Sequence, residues 1–200
     1  MLYFLKIMMG LSIMIYKNEN HIYFLRHCKT INNIQNIITG QMDIPILNNQ
    51  KVEVDRIDFN ENIQILCSPL VRCKETVAIF AKEKSIYFNI QVINELSERN
   101  MGDLEGVSRD NALLKFPEYF CDGKFIFYLT PPGGESYKHI CERAQFISDK
   151  ILFHDIYIGD VVICSHNHFL KILYCYLRKN SIEENWYKLN FQNGKLYKVL

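Results

Sequence analysis

Three short runs of apolar residues, each followed directly by polar residues, constrain the fold of this chain more than any other feature. They lie at residues 21–25, 63–67 and 160–164 and are rich in β-branched and aromatic side chains. Continuous apolar runs of this length are typical of strands that are covered on both faces, as in a parallel sheet. Helical patterns separate the runs. The alternation predicts an α/β fold: a three-layer α/β/α sandwich with a mostly parallel central sheet.

Two helices and one loop can be placed between these strands. Within residues 136–153, apolar side chains recur every three or four positions and therefore share one helix face. They are Tyr137, Ile140, Cys141, Ala144, Ile147 and Ile151. Ser68 and Pro69 suit the cap and the first turn of a helix that we expect to run to about Lys82. The Pro-Pro-Gly-Gly sequence at 131–134 predicts a loop.

The composition is that of an ordinary globular protein. The chain has 200 residues, 48% of them hydrophobic, and a formal net charge of +1. This balance excludes a polybasic nucleic-acid binder and an acidic disordered chain. Seven cysteines, an odd number without a CxxC pair, argue against a secreted disulfide framework. Most of them lie in apolar runs, so we expect reduced, buried cysteines and a cytoplasmic location.

The first 16 residues are almost entirely apolar and precede the alternating pattern. As a helix they would span about 24 Å, which is less than the hydrocarbon core of about 30 Å. No signal-peptide cleavage site follows them. We therefore expect residues 1–20 to be an apolar extension, either an extra helix or the result of a start misassigned upstream of Met14, with a membrane anchor through 1–16 as the alternative. The predicted functional domain spans residues 21–200.

Each predicted strand runs into a cationic or imidazole side chain. Arg26 and His27 follow the first run, Arg72 lies one helical turn beyond Ser68 at the end of the second, and His166 follows the third. In folds of this type, ligands bind at the carboxyl ends of the strands. We therefore expect these side chains to converge in one site.

The chemistry that this set of side chains suits is phosphoryl transfer. Two arginines match the shape and charge of a phosphate, and a neutral imidazole can attack phosphorus to form a phosphohistidine. Asn33 can supply a further donor. A carboxylic acid must then protonate the leaving oxygen and later activate water. Glu98 and Glu105 are both candidates, and the residues alone do not choose between them.

Five motifs, in order along residues 22–199, resemble those of the histidine phosphatase superfamily, which includes proteins similar to cofactor-dependent phosphoglycerate mutases. They are Leu25-Arg26-His27-Cys28-Lys29-Thr30, Ser68-Pro69-Leu70-Val71-Arg72-Cys73-Lys74-Glu75-Thr76, the segment 96–106 around Glu98, Pro131-Pro132-Gly133-Gly134-Glu135-Ser136, and Ser165-His166. Each motif alone is weak evidence, but five in the family's order are highly specific.

The resemblance implies a role for each matching residue. His27 would be the phosphorylated nucleophile, and the family's spacing selects Glu98 as general acid and base. Arg26, Arg72 and His166 would hold the phosphoryl oxygens. A further group would bind substrate or phosphate: Asn33, Thr39, Gly40, Arg99, Arg109 and Asn167. No metal is expected, because the arginines neutralise the phosphate.

The sequence also departs from the family pattern. Cys28 and Asn167 stand where the family has glycine, and Lys29 stands where it has an acid. The segment 47–59 is short for the family's first helix. These changes remove no catalytic group, although Cys28 and Asn167 can reshape the pocket.

The sequence leaves several functions open. The loop 33–43 resembles that of the mutases, whereas segment 111–130 lacks their Arg-Arg pair and offers only Lys115 and Lys124. We favour a phosphomonoester hydrolase that acts on a small phosphorylated metabolite without a cofactor. The alternative is a cofactor-dependent phosphoglycerate mutase, which would need a bisphosphorylated primer. A non-catalytic phosphate-binding module is a third reading, and His166 with His168 as half of a metal site is a fourth. We expect no nucleic-acid partner, and a homodimer stays open.

Overall fold

The computed structural model describes residues 20–54, 59, 63–84, 89–153 and 159–200. The strands are β1 (Ile22–Arg26), β2 (Ile63–Cys67), β3 (Asn89–Val92), β4 (Phe120–Cys121), β5 (Lys124–Phe125), β6 (Asp160–Ser165) and β7 (Leu196–Lys198). The α-helices are α1 (Ile31–Ile34), α2 (Val71–Lys84), α3 (Arg109–Lys115), α4 (Tyr137–Leu152), α5 (Asn167–Arg178) and α6 (Ile182–Asn185). Short 3-10 helices lie at Asn94–Leu96, Gly102–Leu104 and Pro117–Tyr119.

The central sheet has five strands in the order β3-β2-β6-β1-β7. The first four are parallel, and β7 runs antiparallel to β1 at one edge. All three strands predicted from apolar runs are present, and they are neighbours in the sheet. The prediction of a mostly parallel α/β sheet is confirmed.

Helices cover both faces of this sheet, because successive residues of a strand point to opposite sides. On one face, Phe24 of β1 and Ile163 of β6 pack in a cluster with buried residues of α4 and α5. On the other face, Leu25 and Cys164 pack with Val77 and its neighbours on α2. The molecule therefore has the three layers that the alternation of elements predicts.

Helix α4 forms where the apolar periodicity predicts it. Ser136 caps its first turn by accepting a hydrogen bond from the His139 amide at 3.1 Å. Ile140, Ala144 and Ile147 on the predicted face are buried. The Pro-Pro-Gly-Gly segment just before it is irregular, as expected.

Helix α2 begins later than predicted, at Val71 rather than at Pro69. The reason lies outside the helix, since the Val71 amide donates to Asp43 Oδ1 at 2.7 Å. The Ser68 hydroxyl, expected to cap the helix, accepts from the Leu70 amide at 3.4 Å and lies 2.8 Å from His166 Nε2. The helix ends at Lys84, two residues beyond the predicted end.

Two further expectations concern the N-terminal extension and the segment 47–59. The predicted N-terminal extension, apart from residue 20, lies outside the described residues. Within the described part of the chain, no helix is long and apolar enough to cross a membrane. Residues 47–54, where the family's first helix would begin, are irregular and contribute a single bridge, between Glu53 and Lys195.

The order of the strands positions the site. Arg26, the last residue of β1, is paired with Ser165, the last residue of β6. Cys67, at the end of β2, is paired with Cys164. The residues that follow these strands, His27, Ser68 and His166, therefore leave the sheet side by side.

Candidate active site

A cavity of about 430 Å³ opens at the carboxyl ends of β1 and β6. Nine of the eleven residues predicted for the site line its wall: Arg26, His27, Asn33, Thr39, Gly40, Arg72, Glu98, Arg109 and Asn167. The other two, Arg99 and His166, do not line it. The strand ends therefore bring together most of what the sequence suggested.

The loop that follows β1 holds the His27 ring in one tautomer. Its Nδ1 lies 2.7 Å from the Cys28 carbonyl, an acceptor, so Nδ1 carries the hydrogen and Nε2 keeps its lone pair. The Cys28 amide in turn donates to Thr76 Oγ1 at 2.8 Å. Burial lowers the pKa of His27 well below its ordinary value, and Arg26 and Arg72 lower it further. The ring is therefore a neutral nucleophile beside two cations.

Arg26 has unused donors at the cavity. One terminal nitrogen donates to the Phe191 carbonyl at 2.8 Å. Its Nε is buried and finds no acceptor among the described residues. Burial lowers the pKa of Arg26, but a guanidinium stays protonated in proteins. An oxyanion next to His27 would satisfy this buried donor.

Arg72 is held from three sides. Its Nε donates to His166 Nδ1 at 3.2 Å, and its terminal nitrogens donate to the Met42 carbonyl at 2.7 Å and the Gly40 carbonyl at 2.8 Å. A guanidinium has five N–H donors, so two remain for a ligand. The contacts orient the cation rigidly before any substrate arrives.

His166 lies directly behind this arginine. Because Nδ1 accepts from Arg72, Nε2 carries the hydrogen and donates to Ser68 Oγ at 2.8 Å. The His166 and His27 rings are 5.1 Å apart, centre to centre. Burial, followed by Arg72 and His27, lowers the pKa of His166 well below its ordinary value. Both ring nitrogens are engaged by protein groups, so that His166 orients Arg72, and its direct contact with the phosphoryl group stays a prediction.

The two candidate carboxylates occupy different environments. Glu98 lines the cavity, where its oxygens accept from the Arg99 and Phe169 amides at 2.9 and 3.2 Å and from the His168 amide at 3.2 Å. The last two amides belong to the first turn of α5. Glu105 Oε1 instead accepts from the Gln41 and Met101 amides, and Glu105 does not line the cavity. The geometry therefore favours Glu98 over Glu105 as the carboxylate of the site, a choice that the residues alone left open.

Arg99 does not occupy the substrate-binding position expected for it. Its guanidinium is buried and donates to the backbone carbonyls of Phe127, Leu129 and Glu135 at 2.6 to 3.1 Å. These contacts connect the Glu98 segment to the loops before α4. Arg99 is thus a structural cation that holds Glu98's segment in place.

Asn33 and its loop form one side of the cavity. The Asn33 side-chain oxygen accepts from the Thr30 amide at 3.0 Å, which leaves its NH₂ group for a ligand. Gly40, with φ of +50°, passes so close to Glu105 that a Cβ would lie 2.0 Å from that carboxylate. Only glycine therefore lets the 39–40 backbone approach the site. Thr39 also lines this wall.

Asn167 and Arg109 complete the set predicted from the sequence. The Asn167 side-chain oxygen accepts from the Phe191 amide at 3.2 Å, so this departure from the family's glycine braces the chain after α6. Arg109 is the first residue of α3, is exposed and lines the cavity.

Cys28, the departure beside the nucleophile, is accommodated by a second glycine. Its side chain is fully buried, and a Cβ at Gly194 would lie 3.1 Å from Cys28 Sγ. Gly194 also has φ of +68°, which disfavours any other residue. Lys29, the other departure in this motif, is exposed and lies outside the cavity lining.

Sequence reasoning gave no substrate-binding role to several other side chains that line the cavity, among them Lys124, His168, Lys171, Trp186 and Tyr187. Lys171 carried a usable signal, because a residue four positions beyond Asn167 lies on the same face of α5. Lys124, Trp186 and Tyr187 belong to segments that no predicted motif contains. Their position at the cavity depends on contacts between residues far apart in the sequence, so the sequence alone did not indicate them.

The two histidines after β6 do not converge as a metal site. His166 contacts Arg72 and Ser68, whereas the His168 ring lies 5.0 Å from the Trp186 ring. Among the residues that the structure describes, no three His, Cys, Asp or Glu side chains come together as metal ligands do.

Comparison with known proteins identifies the family. The model of the histidine phosphatase superfamily (branch 1) matches residues 22–200. A 2,3-bisphosphoglycerate-dependent phosphoglycerate mutase of Parvibaculum lavamentivorans is 32% identical, over 88% of this chain and 87% of the mutase. A mutase of the same name from Methanococcus vannielii is 26% identical, over 82% of this chain and 83% of its own.

Solved structures agree on the fold. A putative alpha-ribazole-5'-P phosphatase from Escherichia coli superposes with a TM-score of 0.71 at 20% identity, covering 88% of this chain and 87% of that one. A mycobacterial glucosyl-3-phosphoglycerate phosphatase in complex with VO3 gives 0.67 at 18% identity, covering 90% and 92%. The chain belongs to the histidine phosphatase superfamily. It is a phosphatase or a phosphoglycerate mutase-like enzyme of that superfamily.

Proposed function

We propose that this protein hydrolyses a small phosphomonoester through a phosphohistidine formed on His27. The observation that carries the proposal is the hydrogen bond from Nδ1 to the Cys28 carbonyl, which leaves the Nε2 lone pair available at the cavity. Arg26 and Arg72, which keep N–H donors without acceptors among the described residues, line the same cavity. A nucleophile next to fixed cations is what covalent phosphoryl transfer requires.

The reaction proceeds in two displacements. His27 Nε2 attacks phosphorus, the ester P–O bond breaks, and protonated Glu98 gives its proton to the leaving oxygen. Glu98, now a carboxylate, takes a proton from water as that water attacks phosphorus and breaks the P–N bond. Inorganic phosphate leaves, and His27 and Glu98 return to their starting states. Arg26 and Arg72 stabilise the negative charge on the equatorial oxygens in both steps.

His166 acts in this scheme through Arg72. By accepting from Nε of that arginine, it fixes the plane of the guanidinium. Asn33 and the 39–40 backbone line the same wall and are proposed to bind the phosphoryl group, with Asn167 and Arg109 nearer the rest of the substrate. The scheme uses no metal and no cofactor.

Hydrolysis is favoured over mutase activity by the segment between α3 and α4. In place of an Arg-Arg pair, it contains the two-residue strands β4 and β5 and offers the cavity one lysine, Lys124. The mutase remains the second candidate, supported by relatives of that name and by the mutase-like loop that places Thr39 and Gly40 at the cavity. In that case a bisphosphorylated primer would be the cofactor.

We propose a cytoplasmic location, which is supported by the thiols. All seven cysteines are free, and five of them are buried. Free thiols in this number are typical of a reducing compartment.

The test is a rapid-quench experiment with a phosphomonoester labelled in its phosphate, with the protein kept at alkaline pH after quenching. We expect label on His27 in the wild type and none in His27→Ala, which should also lose turnover. Absence of label on His27 in an active wild type would overturn the mechanism. Release of labelled phosphate without exchange between hydroxyls of 2- and 3-phosphoglycerate would select hydrolase over mutase, and exchange would select the reverse.

A further inference from the structure

Four of the seven cysteines lie in one buried cluster directly behind the candidate active site. They belong to the apolar core between the sheet and α2, and they are Cys28, Cys67, Cys73 and Cys164. Each lies within two positions of a polar residue of the site, namely His27, Ser68, Arg72 or His166. The proposed reaction uses none of these thiols. The cluster is therefore a set of nucleophilic groups that still lacks a role.

Cys67 and Cys164 are neighbours on adjacent strands. They are paired in register in β2 and β6, and both side chains lie on the face that α2 covers. The Cys164 thiol donates a hydrogen bond to the Cys67 sulfur. The Cα atoms of such neighbours are about 4.8 Å apart, inside the range of about 4.4–6.8 Å that disulfides span. The backbone therefore holds the two cysteines at a separation that suits a disulfide.

The two thiols are not equivalent as nucleophiles. The hydrogen bond from Cys164 lowers the pKa of Cys67 below its ordinary value, and burial opposes this effect. Burial raises the pKa of Cys164 well above its ordinary value, and the hydrogen bonds to Cys67 and Cys73 raise it further. The thiolate, rather than the thiol, is the form that attacks an oxidant. We therefore expect Cys67 to react first and Cys164 second.

Cys73 connects this pair to the site. The Cys164 sulfur lies 3.6 Å from the Cys73 carbonyl oxygen, and the Cys73 sulfur lies 3.5 Å from His166 Nε2. Cys73 also directly follows Arg72 on α2. A displacement of Cys164 is therefore transmitted through one residue to both His166 and Arg72.

We propose that Cys67 and Cys164 form an oxidation site, at which hydrogen peroxide converts the two thiols to a disulfide that slows the reaction at the cavity. Both side chains are at most 1% exposed, so the oxidant must be about the size of a water molecule. Hydrogen peroxide meets this requirement, and oxidised glutathione does not. All the cysteines are free, which agrees with a pair that stays reduced until peroxide appears.

The oxidation takes two steps and one equivalent of peroxide. The Cys67 thiolate attacks a peroxide oxygen, an S–O bond forms, the O–O bond breaks, and hydroxide leaves with the proton of the Cys67 thiol as water. The Cys164 sulfur then attacks the sulfenic acid on Cys67, the S–S bond forms, the S–O bond breaks, and hydroxide leaves with the proton of Cys164 as a second water. The two thiols lose two electrons, and the peroxide gains them.

The disulfide would change the spacing of the two strand ends that carry site residues. In-register neighbours are about 4.8 Å apart, whereas the Cβ atoms of a disulfide are about 3.8 Å apart. The bond therefore draws the ends of β2 and β6 together by about 1 Å, next to Ser68 and His166. The hydrogen bonds from His166 to Ser68 and from Arg72 to His166 span this gap. A misplacement of about 1 Å costs an enzyme up to about 100-fold in rate.

The test is a mass measurement on the full-length protein. The reduced protein is treated with hydrogen peroxide, catalase removes the excess, and free thiols are blocked after unfolding. We expect a peptide that joins Cys67 to Cys164, and a kcat/KM for a phosphomonoester about tenfold to a hundredfold below that of the untreated protein. Dithiothreitol should remove the linkage and restore the activity. Oxidised glutathione at the same concentration should produce neither change.

Two variants separate the roles of the thiols. Cys164→Ala leaves Cys67 without a partner, so peroxide should produce a sulfenic acid on Cys67 that dimedone traps on unfolding. Cys67→Ala should give no sulfenic acid on Cys164, and its activity should withstand peroxide. Cys175→Ala is the matched control, because Cys175 is a buried thiol outside this cluster, and it should respond as the wild type does.

The outcomes are separate from those of the phosphohistidine test. A wild type without a linkage between Cys67 and Cys164, or with a linkage of either to Cys73 instead, overturns the oxidation site. A linkage that leaves kcat/KM unchanged, or a loss of activity that Cys67→Ala shares in full, overturns its effect on the cavity. The linkage is read by mass without turnover, so it is decided whether or not His27 becomes labelled. If a variant does not fold, the linkage in the wild type and its reversal by dithiothreitol still decide the proposal.

Discussion

At His27, one hydrogen bond decides which ring nitrogen can react. The Cys28 carbonyl holds the proton on Nδ1, and the same loop is anchored by the Cys28 amide on Thr76. Burial and two arginines keep the ring neutral by lowering its pKa. The same arginines therefore prepare the nucleophile before reaction and stabilise charge during it.

Glu98→Gln tests the carboxylate at the residue scale. Glutamine keeps an oxygen for the Arg99 and Phe169 amides but cannot pass a proton. For substrates with an alkoxide leaving group, we expect kcat to fall about 10²- to 10⁴-fold, the usual contribution of general acid–base catalysis. With p-nitrophenyl phosphate, whose leaving group needs little protonation, the first step should persist, so that stopped-flow measurement shows a burst of nitrophenol followed by slow turnover.

Glu105→Gln provides the matched control for that prediction. It lies in the same segment and also accepts backbone amides, but it does not line the cavity. Its kcat should stay within a few-fold of the wild type. Equal losses in the two variants, or an intact Glu98→Gln enzyme, would remove Glu98 from the mechanism.

At the scale of elements, the site depends on a loop that is tied to a helix. Residues 40–43 give Arg72 two carbonyl acceptors, from Gly40 and Met42, and Asp43 accepts the first amide of α2, on which Arg72 lies. Helix and loop thus hold each other at the cavity wall. The strand order then places this pair beside β6 and His166.

Asp43→Ala should loosen this connection. Loss of a side-chain acceptor at a helix start costs about 0.5–2 kcal/mol of the free energy of unfolding. We expect a loss of that size in urea unfolding and a several-fold rise in KM, because the carbonyls that orient Arg72 become less fixed. Asp43→Asn retains an acceptor oxygen and should restore both values. An Asp43→Ala protein as stable as the wild type would show that α2 needs no cap from this loop.

The elements differ in how far the sequence predicts them. β1, β2 and β6 could be predicted, because a short apolar run that ends in polar residues has few alternatives in a covered sheet. Helix α4 followed from periodicity and a serine cap. The start of α2 was wrong by two residues, because the deciding acceptor, Asp43, is 28 positions away in the chain.

The site shows the same limit. Convergence of Arg26, His27 and Arg72 follows from the geometry of parallel strands. The contact between Arg72 and His166 joins residues 94 positions apart, and Arg99 is satisfied by backbone carbonyls, which any residue supplies. Contacts with distant residues or with backbone carbonyls produce no recognisable sequence pattern. The contacts of His166 and Arg99 could therefore be assigned only from the structure.

For the molecule as a whole, a near-neutral chain contains a strongly positive cavity. The net charge of +1 results from nearly equal numbers of acids and bases. Among the described residues, five of those bases line one cavity with one acid. Fields of this kind draw anionic substrates to a cleft and raise their rate of association. The charge distribution, rather than the net charge, therefore carries the functional information.

The pH dependence of activity should report two groups of this cavity. His27 reacts when neutral, and its pKa is lowered, so the nucleophile should remain competent well below pH 6.5. Lys171 lines the cavity and can attract an anion only when charged, and its pKa of about 8 means that this charge is lost as the pH rises through 8. Burial favours the neutral form of Lys171 most, Arg26, Arg109 and Lys124 favour it further, and Glu98 favours the charged form.

Two phosphomonoesters test this, one with a distal carboxylate and one in which a neutral group replaces that carboxylate. We therefore expect the ratio of their kcat/KM values, the first over the second, to fall as the pH rises, with an apparent pKa of about 8. The pH dependence of kcat/KM reports ionisations of the free enzyme and the free substrate. Ionisations that affect both substrates equally, such as that of His27, therefore cancel in the ratio. In Lys171→Met the ratio should be lower and flat across this range, and in Lys171→Arg it should be high and flat. A wild-type ratio that does not change between pH 7 and 9 would mean that the charge of Lys171 does not contribute to substrate selection.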